Sequence, residues 1–118
     1  MKFTTIDLQT WPRAQMFYYF SQMAPTGYSM TVNIDVTTLH KAVKTAQLKF
    51  FPSYVWLITK NLNNQTEFKT AKKDEVLGYY DTLTPLYASF HEDDKTFSLM
   101  WTDYSDDFHT FYENYIDN

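Results

Sequence analysis

Alternation of apolar and polar side chains is the clearest strand signal in this chain. Residues 30–36 switch strictly between the two classes, which is the period of a strand with one buried face. The apolar members are Met30, Val32, Ile34 and Val36. A second, shorter signal lies at residues 2–8, where scattered apolar positions among threonines predict a short strand or extended arm.

Two further stretches predict β-hairpins, because short apolar runs flank a polar turn. The first lies between Phe68 and Tyr80 with its tip at residues 72–75, and Gly78 is expected to weaken or bulge its second strand. The second joins residues 87–91 to residues 96–101 through an acidic tip.

Helical spacing of apolar residues predicts two helices in the first half of the chain. Thr10 or Trp11 would cap the first, which continues from residue 13 to residue 23 and ends before Pro25. Thr37 and Thr38 offer hydroxyl caps for the second. Its apolar stripe is Leu39, Ala42, Val43 and Ala46.

Two more helices are predicted in the second half. Pro52 is suited to open one over residues 53–61, whose apolar residues surround the axis and favour burial on most sides. Ser105, Asp106 and Asp107 would cap the last, near residues 108–116. The apolar stripe of that last helix is Phe108, Phe111, Tyr112, Tyr115 and Ile116. The order of elements predicts one α+β domain over residues 1–118, with a mixed, mainly antiparallel sheet packed against helices.

Composition and charge exclude several classes of function. The chain has 118 residues, a formal charge of −4, no cysteine and two glycines. These counts exclude cysteine chemistry and leave no residues for a Gly-rich phosphate loop. Arg13 is the only arginine, which argues against a nucleic-acid interface. With no apolar run near the start and no membrane-length span, we expect a cytoplasmic protein without a membrane partner.

The sequence contains only weak signals for catalytic groups. The three histidines, His40, His91 and His109, share no metal-ligand spacing, and a surface or capping role is favoured for each. The serines lie in no G-x-S-x-G elbow, and the acidic residues 92–94 favour a solvated hairpin tip over a metal loop. From the residues alone we assign no catalytic and no metal-binding residue.

Two features leave alternatives open. The aromatic stretch from Phe17 to Tyr28 fits a core, which sequence favours, or the wall of an apolar ligand pocket. Arg13, beside that stretch, is either a surface charge or one half of a buried ion pair.

Colinear motifs along the whole chain resemble the N-terminal part of chloramphenicol acetyltransferases. They comprise Phe3 with Ile6-Asp7-Leu8, Trp11-Pro12-Arg13, Pro25-Thr26-Gly27-Tyr28-Ser29, Ile34-Asp35-Val36, Lys49-Phe50-Phe51-Pro52, Leu77-Gly78-Tyr79-Tyr80-Asp81, Pro85-Leu86-Tyr87, Lys95-Thr96-Phe97-Ser98, Asp107-Phe108 and Tyr112-Glu113-Asn114-Tyr115. The resemblance covers all 118 residues in order.

The resemblance implies a homotrimeric enzyme that moves acetyl from the co-substrate acetyl-CoA to a hydroxyl of chloramphenicol, with active sites between subunits. In the family, a histidine of a His-His-x-x-x-Asp-Gly motif acts as general base and a serine helps to hold the oxyanion. This sequence contains neither a His-His pair nor an Asp-Gly step. We therefore expect a truncated chain, the family's N-terminal half, that is inactive alone.

Site residues carried over by the resemblance fall into three groups. The chloramphenicol-binding wall would comprise Tyr19, Phe20, Ala24, Thr26, Tyr28, Phe97 and Leu99. Lys49 and Phe51 align near the acetyl-CoA site, where the lysine would meet a phosphate. Arg13 aligns with an arginine whose aspartate partner belongs to the missing motif.

Two other functions stay open at this point. The chain would be a non-catalytic module that binds a small molecule or a subunit through the retained acceptor pocket, or an enzyme completed by a second polypeptide. A half-domain would also expose more apolar surface than a free-standing domain of this size.

Overall fold

The computed structural model describes residues 1–118. In chain order its elements are β1 (Phe3–Thr5), α1 (Ala14–Tyr18) with a π-helical turn (Tyr19–Met23), α2 (Thr37–Thr45), α3 (Phe50–Asn63), a 3-10 turn (Thr66–Lys69), β2 (Thr70–Lys73), β3 (Val76–Tyr80), β4 (Leu86–His91), β5 (Thr96–Trp101) and α4 (Phe108–Ile116). The α+β prediction is confirmed, although the strands form two separate antiparallel sheets.

The first sheet has three strands in the order β1-β3-β2. Both predicted strands of the first hairpin are present, and β1 adds to the outer edge of β3 with Phe3 opposite Tyr80. The turn between β2 and β3 places Asp74 and Glu75 at φ values of 51° and 66°. Positive φ at both central residues is the geometry of a type I′ turn, whose twist matches that of the flanking strands.

Gly78 does not bulge or weaken β3, contrary to the prediction. It pairs in register with Thr5 on one side and Ala71 on the other. A Cβ at this position would overlap the carbonyl oxygen of Thr4 and the ring of Phe3. The glycine is required because β1 pairs with β3 at very close range.

The second sheet is the predicted hairpin of β4 and β5. Opposite residues include Ser89 and Ser98 on one face and Phe90 and Phe97 on the other. The acidic tip is a solvated turn, in which the N–H of Lys95 donates to the His91 carbonyl at 2.9 Å.

The predicted strand at residues 30–36 is absent, and residues 24–36 form irregular structure. Alternation was present, but a strand also needs a neighbour for its backbone groups, and no strand of this chain lies beside it. The side chains of residues 25–38 are all exposed. The apolar residues of the pattern therefore have no buried face here.

The first helix also departs from the prediction. Arg13, rather than Thr10 or Trp11, is the N-cap, because residues 7–11 first form a turn closed by the carbonyl of Asp7. The α-helical part ends at Tyr18, and the chain widens into the π-helical turn Tyr19–Met23.

The remaining helices lie where they were expected, with corrections at their ends. The hydroxyls of Thr37 and Thr38 do not cap α2; instead Oδ1 of Asp35 accepts from the N–H of Thr37 at 2.9 Å. Helix α3 begins earlier than predicted, at Phe50, and one side of it is more exposed than predicted. Asp107 caps α4 as predicted, with Oδ2 accepting from the N–H of Thr110 at 2.9 Å.

The core is small and lies where α3, α4 and the inner face of the second hairpin meet. Phe111 of α4 is completely buried, and Thr102, at 1% exposure, accepts or donates a 2.6 Å hydrogen bond with the Tyr87 hydroxyl. Phe51 packs edge-on against the rings of Tyr54 and Tyr87, each at a centroid distance of 5.3 Å. Aromatic packing between helices and hairpin therefore holds the two layers together.

Apolar exposure is high. Only 8 of 118 residues are buried, and many large apolar side chains are exposed. The radius of gyration is 18.0 Å, where a compact domain of this length has about 13–14 Å. No helix combines the length and apolar character needed to span a bilayer.

Candidate acceptor site

Five of the predicted acceptor residues belong to the π-helical turn and the segment after it. Here the N–H of Ala24 donates to the carbonyl of Tyr19 at 2.8 Å, and the N–H of Thr26 donates to that of Phe20 at 3.1 Å. The hydroxyl of Thr26 donates to the Ala24 carbonyl at 2.7 Å. These bonds replace the narrower α-helical pattern, so they fix a local bend; wide turns of this kind are frequent at functional sites.

The side chains of this group are presented to solvent. The rings of Tyr19 and Phe20 meet edge to face at a centroid distance of 5.0 Å, and both remain almost half exposed. Tyr28, beyond the bend, is 91% exposed. The bend therefore displays an apolar surface with phenol and threonine hydroxyls at its edges.

The other two acceptor candidates, Phe97 and Leu99, lie on the outer face of β5. Their cross-strand neighbours are Phe90 and Ala88 of β4, and all four side chains are exposed. Neither of the two cavities described below is lined by residues of both groups, and no ring pair joins Phe97 to Tyr19, Phe20 or Tyr28. The chain thus presents two apolar surfaces that remain apart.

Lys49 and Phe51 occupy different environments despite their proximity in sequence. Lys49 is the N-cap of α3, and its N–H donates to the hydroxyl of Tyr112 at 2.9 Å. It lines a polar cavity of about 220 Å³ beside Ser89 and Asn118. Phe51 points into the aromatic core described above. The cavity is smaller than typical ligand pockets, which have volumes of about 300–1,000 Å³.

Arg13 forms an ion pair with Glu67 in this chain, and the expected aspartate partner of the missing motif stays a prediction. Nη2 of Arg13 lies 3.6 Å from Oε1 of Glu67, and both side chains are largely exposed. Of the two alternatives, the surface charge is the one observed. The pair lies at the rim of the largest described cavity, about 540 Å³, between the turn that holds Trp11 and the 3-10 turn Thr66–Lys69.

No histidine faces the acceptor candidates. His91 Nε2 is hydrogen bonded to Ser98 Oγ at 2.7 Å on the inner face of the hairpin, opposite to the face of Phe97 and Leu99. His40 lies against Phe50, and His109 lies beside Phe108. No three side chains of His, Cys, Asp or Glu are grouped so that they could hold a metal ion.

The ionisable groups whose pKa values are shifted lie in turns and in the core. Hydrogen bonds from Thr37 lower the pKa of Asp35, those from Thr96 lower the pKa of Asp94, and those from Thr110 lower the pKa of Asp107. Each of these carboxylates holds a turn or caps a helix, and this role accounts for the shift.

Two phenols are perturbed in the opposite direction. Burial and a hydrogen bond to Asp106 raise the pKa of Tyr104 to about 12, and burial raises the pKa of Tyr115. Neither phenol belongs to the acceptor groups.

Two residues near these sites, Glu67 and Asn118, were not predicted from the sequence. Glu67 gave no signal because its contact with Arg13 is long-range and its own segment is polar. Asn118 donates from Nδ2 to the carbonyl of Trp101 at 2.6 Å and to Thr102 Oγ1 at 3.1 Å, which ties the last residue to the hairpin. No local pattern predicts either contact.

The architecture is an α+β fold that is shared with a solved protein. A solved chloramphenicol acetyltransferase matches it with a TM-score of 0.90 over 98% of this chain and 54% of the other, at 24% sequence identity, which shows the shared fold. The sequence profile of the family described as chloramphenicol acetyltransferase matches residues 1–118. The chain belongs to the chloramphenicol acetyltransferase family.

Curated relatives agree on the family and show what share of its length is present. Proteins named chloramphenicol acetyltransferase match at 39% identity in Clostridium perfringens and 40% in Staphylococcus aureus, over 100% and 98% of this chain and 54% of each relative. The Escherichia coli protein of that name matches at 37% identity over 96% of this chain and 52% of its own length. The chain thus spans about half the length of these relatives.

Proposed function

We propose that this chain forms the acceptor-side half of an enzyme that transfers acetyl from acetyl-CoA to a hydroxyl of chloramphenicol, and that it does not carry out the reaction alone. The observation that carries the proposal is the family match over residues 1–118 together with the retained fold. The family resemblance predicts a trimer for the complete enzyme.

The placement of the acceptor candidates supports the first part of the proposal. Tyr19 and Phe20 offer aromatic faces with a phenol beside them, and Thr26 adds a hydroxyl. Phe97 and Leu99 offer a second apolar surface on β5. An amphipathic molecule with an aryl ring and hydroxyls suits such surfaces once a further polypeptide closes them into a pocket.

The placement of the histidines supports the second part. Acetyl transfer to a hydroxyl needs a base within hydrogen-bond reach of the hydroxyl proton, about 2.6–3.2 Å. His91 is directed to the inner face of the hairpin, and the other two histidines pack against Phe50 and Phe108. A substrate on the acceptor surfaces would therefore meet no base from this chain.

A thiol-release assay tests the proposal. The chain has no cysteine, so a chromogenic thiol reagent detects only the coenzyme A set free from acetyl-CoA. We expect no chloramphenicol-dependent release above the blank. Turnover that persists after repeated purification, and that disappears in one of His40→Ala, His91→Ala or His109→Ala, would show that the chain carries its own base and would overturn the inactivity.

The exposed acceptor surface favours a second candidate, a module that binds a small molecule without catalysis. Calorimetric titration with chloramphenicol separates the two. A saturable heat that is lost in Tyr19→Ala and retained in His109→Ala favours the binding module. No saturable heat is the result expected for half of a pocket.

A further inference from the structure

The hydrogen-bond pattern of the first helix changes its spacing between Phe17 and Ala24. The N–H of Phe17 donates to the carbonyl of Arg13, four residues earlier, at 2.9 Å. The N–H of Ala24 donates to the carbonyl of Tyr19, five residues earlier, at 2.8 Å. An α-helix turns by about 100° per residue, so one additional residue in a turn redirects the side chains that follow it. The place of the widening therefore decides which way the side chains of this turn and of the next segment point.

Ser21 lies inside the widened turn, and its side chain bonds back across it. Its hydroxyl donates to the carbonyl of Phe17, four residues earlier, at 2.6 Å. In a regular α-helix this carbonyl is the acceptor for the main-chain N–H of Ser21, so the hydroxyl competes with that N–H. Bonds of this kind bend helices. A hydroxyl on the Phe17 carbonyl therefore favours the wide turn over a continuous α-helix.

The side chain of Ser21 does not belong to the exposed acceptor surface. It is half-buried and lines a groove with Leu8 and Leu77. Tyr19 and Phe20 do not line this groove, and their rings are almost half exposed. Any effect of the Ser21 hydroxyl on those two rings must therefore pass through the backbone.

The same kind of bond elsewhere in the chain leaves a helix regular. The hydroxyl of Ser53 donates to the carbonyl four residues earlier at 2.8 Å, and α3 stays α-helical. The turn at Ser21 differs because Pro25 follows it. Proline has no N–H to donate to the Ser21 carbonyl, and it disfavours α-helical backbone at Ala24, whose φ and ψ are −133° and 72°. Since the α-helix cannot continue through Pro25, the hydroxyl can decide the width of its last turn.

We propose that Ser21 is a positioning residue of the acceptor surface, whose hydroxyl holds the wide turn and thereby sets the directions of the Tyr19 and Phe20 rings. The same turn places Thr26, because the N–H of Thr26 donates to the carbonyl of Phe20 at 3.1 Å. This role rests on the proposed function, since these three residues belong to the acceptor group.

Hydrogen exchange of single amides, measured by NMR on the full 118-residue chain, tests this role. The amides of Ala24 and Thr26 report on the wide turn because both donate to its carbonyls. Ser21→Val lacks the hydroxyl, whereas Ser21→Thr keeps it on a side chain of nearly the same shape. We expect both amides to exchange about two- to tenfold faster in Ser21→Val than in Ser21→Thr. Ser53→Ala removes the matching bond in α3 and should leave both amides unchanged.

The rings of Tyr19 and Phe20 provide a second readout. They meet edge to face at a centroid distance of 5.0 Å, so each ring shifts the NMR signals of the other. These ring signals should move in Ser21→Val and stay close to their wild-type positions in Ser21→Thr. Ring signals that are the same in both variants would overturn the proposal.

The exchange data can also contradict the positioning role. Equal or slower exchange of Ala24 and Thr26 in Ser21→Val would show that the hydroxyl does not hold the turn. Equal acceleration of the amides of α3 and α4 would show that it only adds to overall stability, which would also overturn the proposal. None of these measurements uses chloramphenicol or acetyl-CoA, so a failure of the positioning role is distinguishable from a failure of the proposed function.

Discussion

The ring of Phe3 lies directly over Gly78, so closely that a methyl group there would overlap the ring and the neighbouring carbonyl oxygen of Thr4. Phe3 also packs on Tyr80 at a ring-centroid distance of 5.0 Å. The close pairing of β1 with β3 thus depends on the absence of a side chain at Gly78 in β3 and on the large ring of Phe3 in β1.

Replacing Gly78 with alanine should therefore detach β1. The methyl group meets backbone as well as the ring, and overpacking of this kind costs about 1–3 kcal/mol. Urea unfolding followed by circular dichroism measures the loss. Gly27→Ala is the matched control, because nothing lies within 4 Å of the Cβ position there and the residue has no positive φ. If the two substitutions lowered the free energy of unfolding equally, the role assigned to the close pairing of β1 with β3 would be contradicted.

Phe111→Ala should be the most destabilising single change in α4. The side chain is completely buried against the ring of Tyr104, and truncating a buried phenylalanine costs about 3–5 kcal/mol. Phe97→Ala removes the same ring from a site that is 63% exposed and should change the free energy of unfolding by less than about 0.5 kcal/mol. A large cost for Phe97→Ala would mean that the outer hairpin face is covered in solution.

Helix α4 should lose stability in acid through its cap. Hydrogen bonds from Thr110 hold the pKa of Asp107 below its usual value in the folded chain. Because the pKa of Asp107 is lower in the folded chain than in the unfolded chain, the ionised carboxylate stabilises the fold. This stabilisation is fully present above the unfolded pKa, about 3.9. It is lost as the pH falls through the folded pKa.

Asp107→Ala should accordingly lower the Tm by several degrees at pH 7, and by progressively less as the pH falls through the folded pKa of the wild-type carboxyl. Asp117→Ala is the control, since that carboxylate lies at the C-terminal end of the same helix and accepts no hydrogen bond from it. A Tm difference that is independent of pH would show that Asp107 acts by packing rather than by its charge.

Hairpins and most helices of this fold follow from local pattern, and the reason is visible in β5. The alternation in β5 correctly predicted a strand because β4 lies one short turn earlier in the sequence and pairs with it. Residues 30–36 have a cleaner alternation and form no strand, because nothing adjacent in sequence can pair with them. A periodic pattern specifies which face is apolar and leaves open whether a partner exists.

The site residues assigned by the resemblance stay a prediction, and their relative positions could not be predicted from the sequence. The resemblance assigned Tyr19 and Phe97 to one wall, but their positions relative to each other depend on packing between distant elements, and the structure keeps them on separate surfaces. The π-helical turn was missed for a related reason, since a shift from α-helical to wider hydrogen bonding at Tyr19 leaves no signature in apolar spacing.

Tyr104 should titrate last among the tyrosines. Burial and the hydrogen bond to Asp106 raise its pKa to about 12, because both favour the neutral phenol. Its contribution to stability is complete below the unfolded pKa of about 10 and is lost as pH rises towards 12. Ultraviolet absorbance of the phenolate should show a latest ionisation step near pH 12 that is absent in Tyr104→Phe and that occurs at lower pH in Asp106→Asn. Tyr18→Phe, which changes an exposed phenol, should leave the late step intact.

The pair of Arg13 and Glu67 should contribute little to stability in this chain. The two charges are 3.6 Å apart, and both side chains are more than half exposed, so water and salt screen the attraction. A double-mutant cycle of Arg13→Ala and Glu67→Ala should give a coupling energy below about 1 kcal/mol, and added salt should reduce it further. The control cycle uses Lys95 and Glu92, which lie 2.7 Å apart at the exposed hairpin tip and should couple equally weakly. A coupling of several kcal/mol for Arg13 alone would show that its side chain is buried in solution, as expected if a second polypeptide covers the 540 Å³ cavity at whose rim it lies.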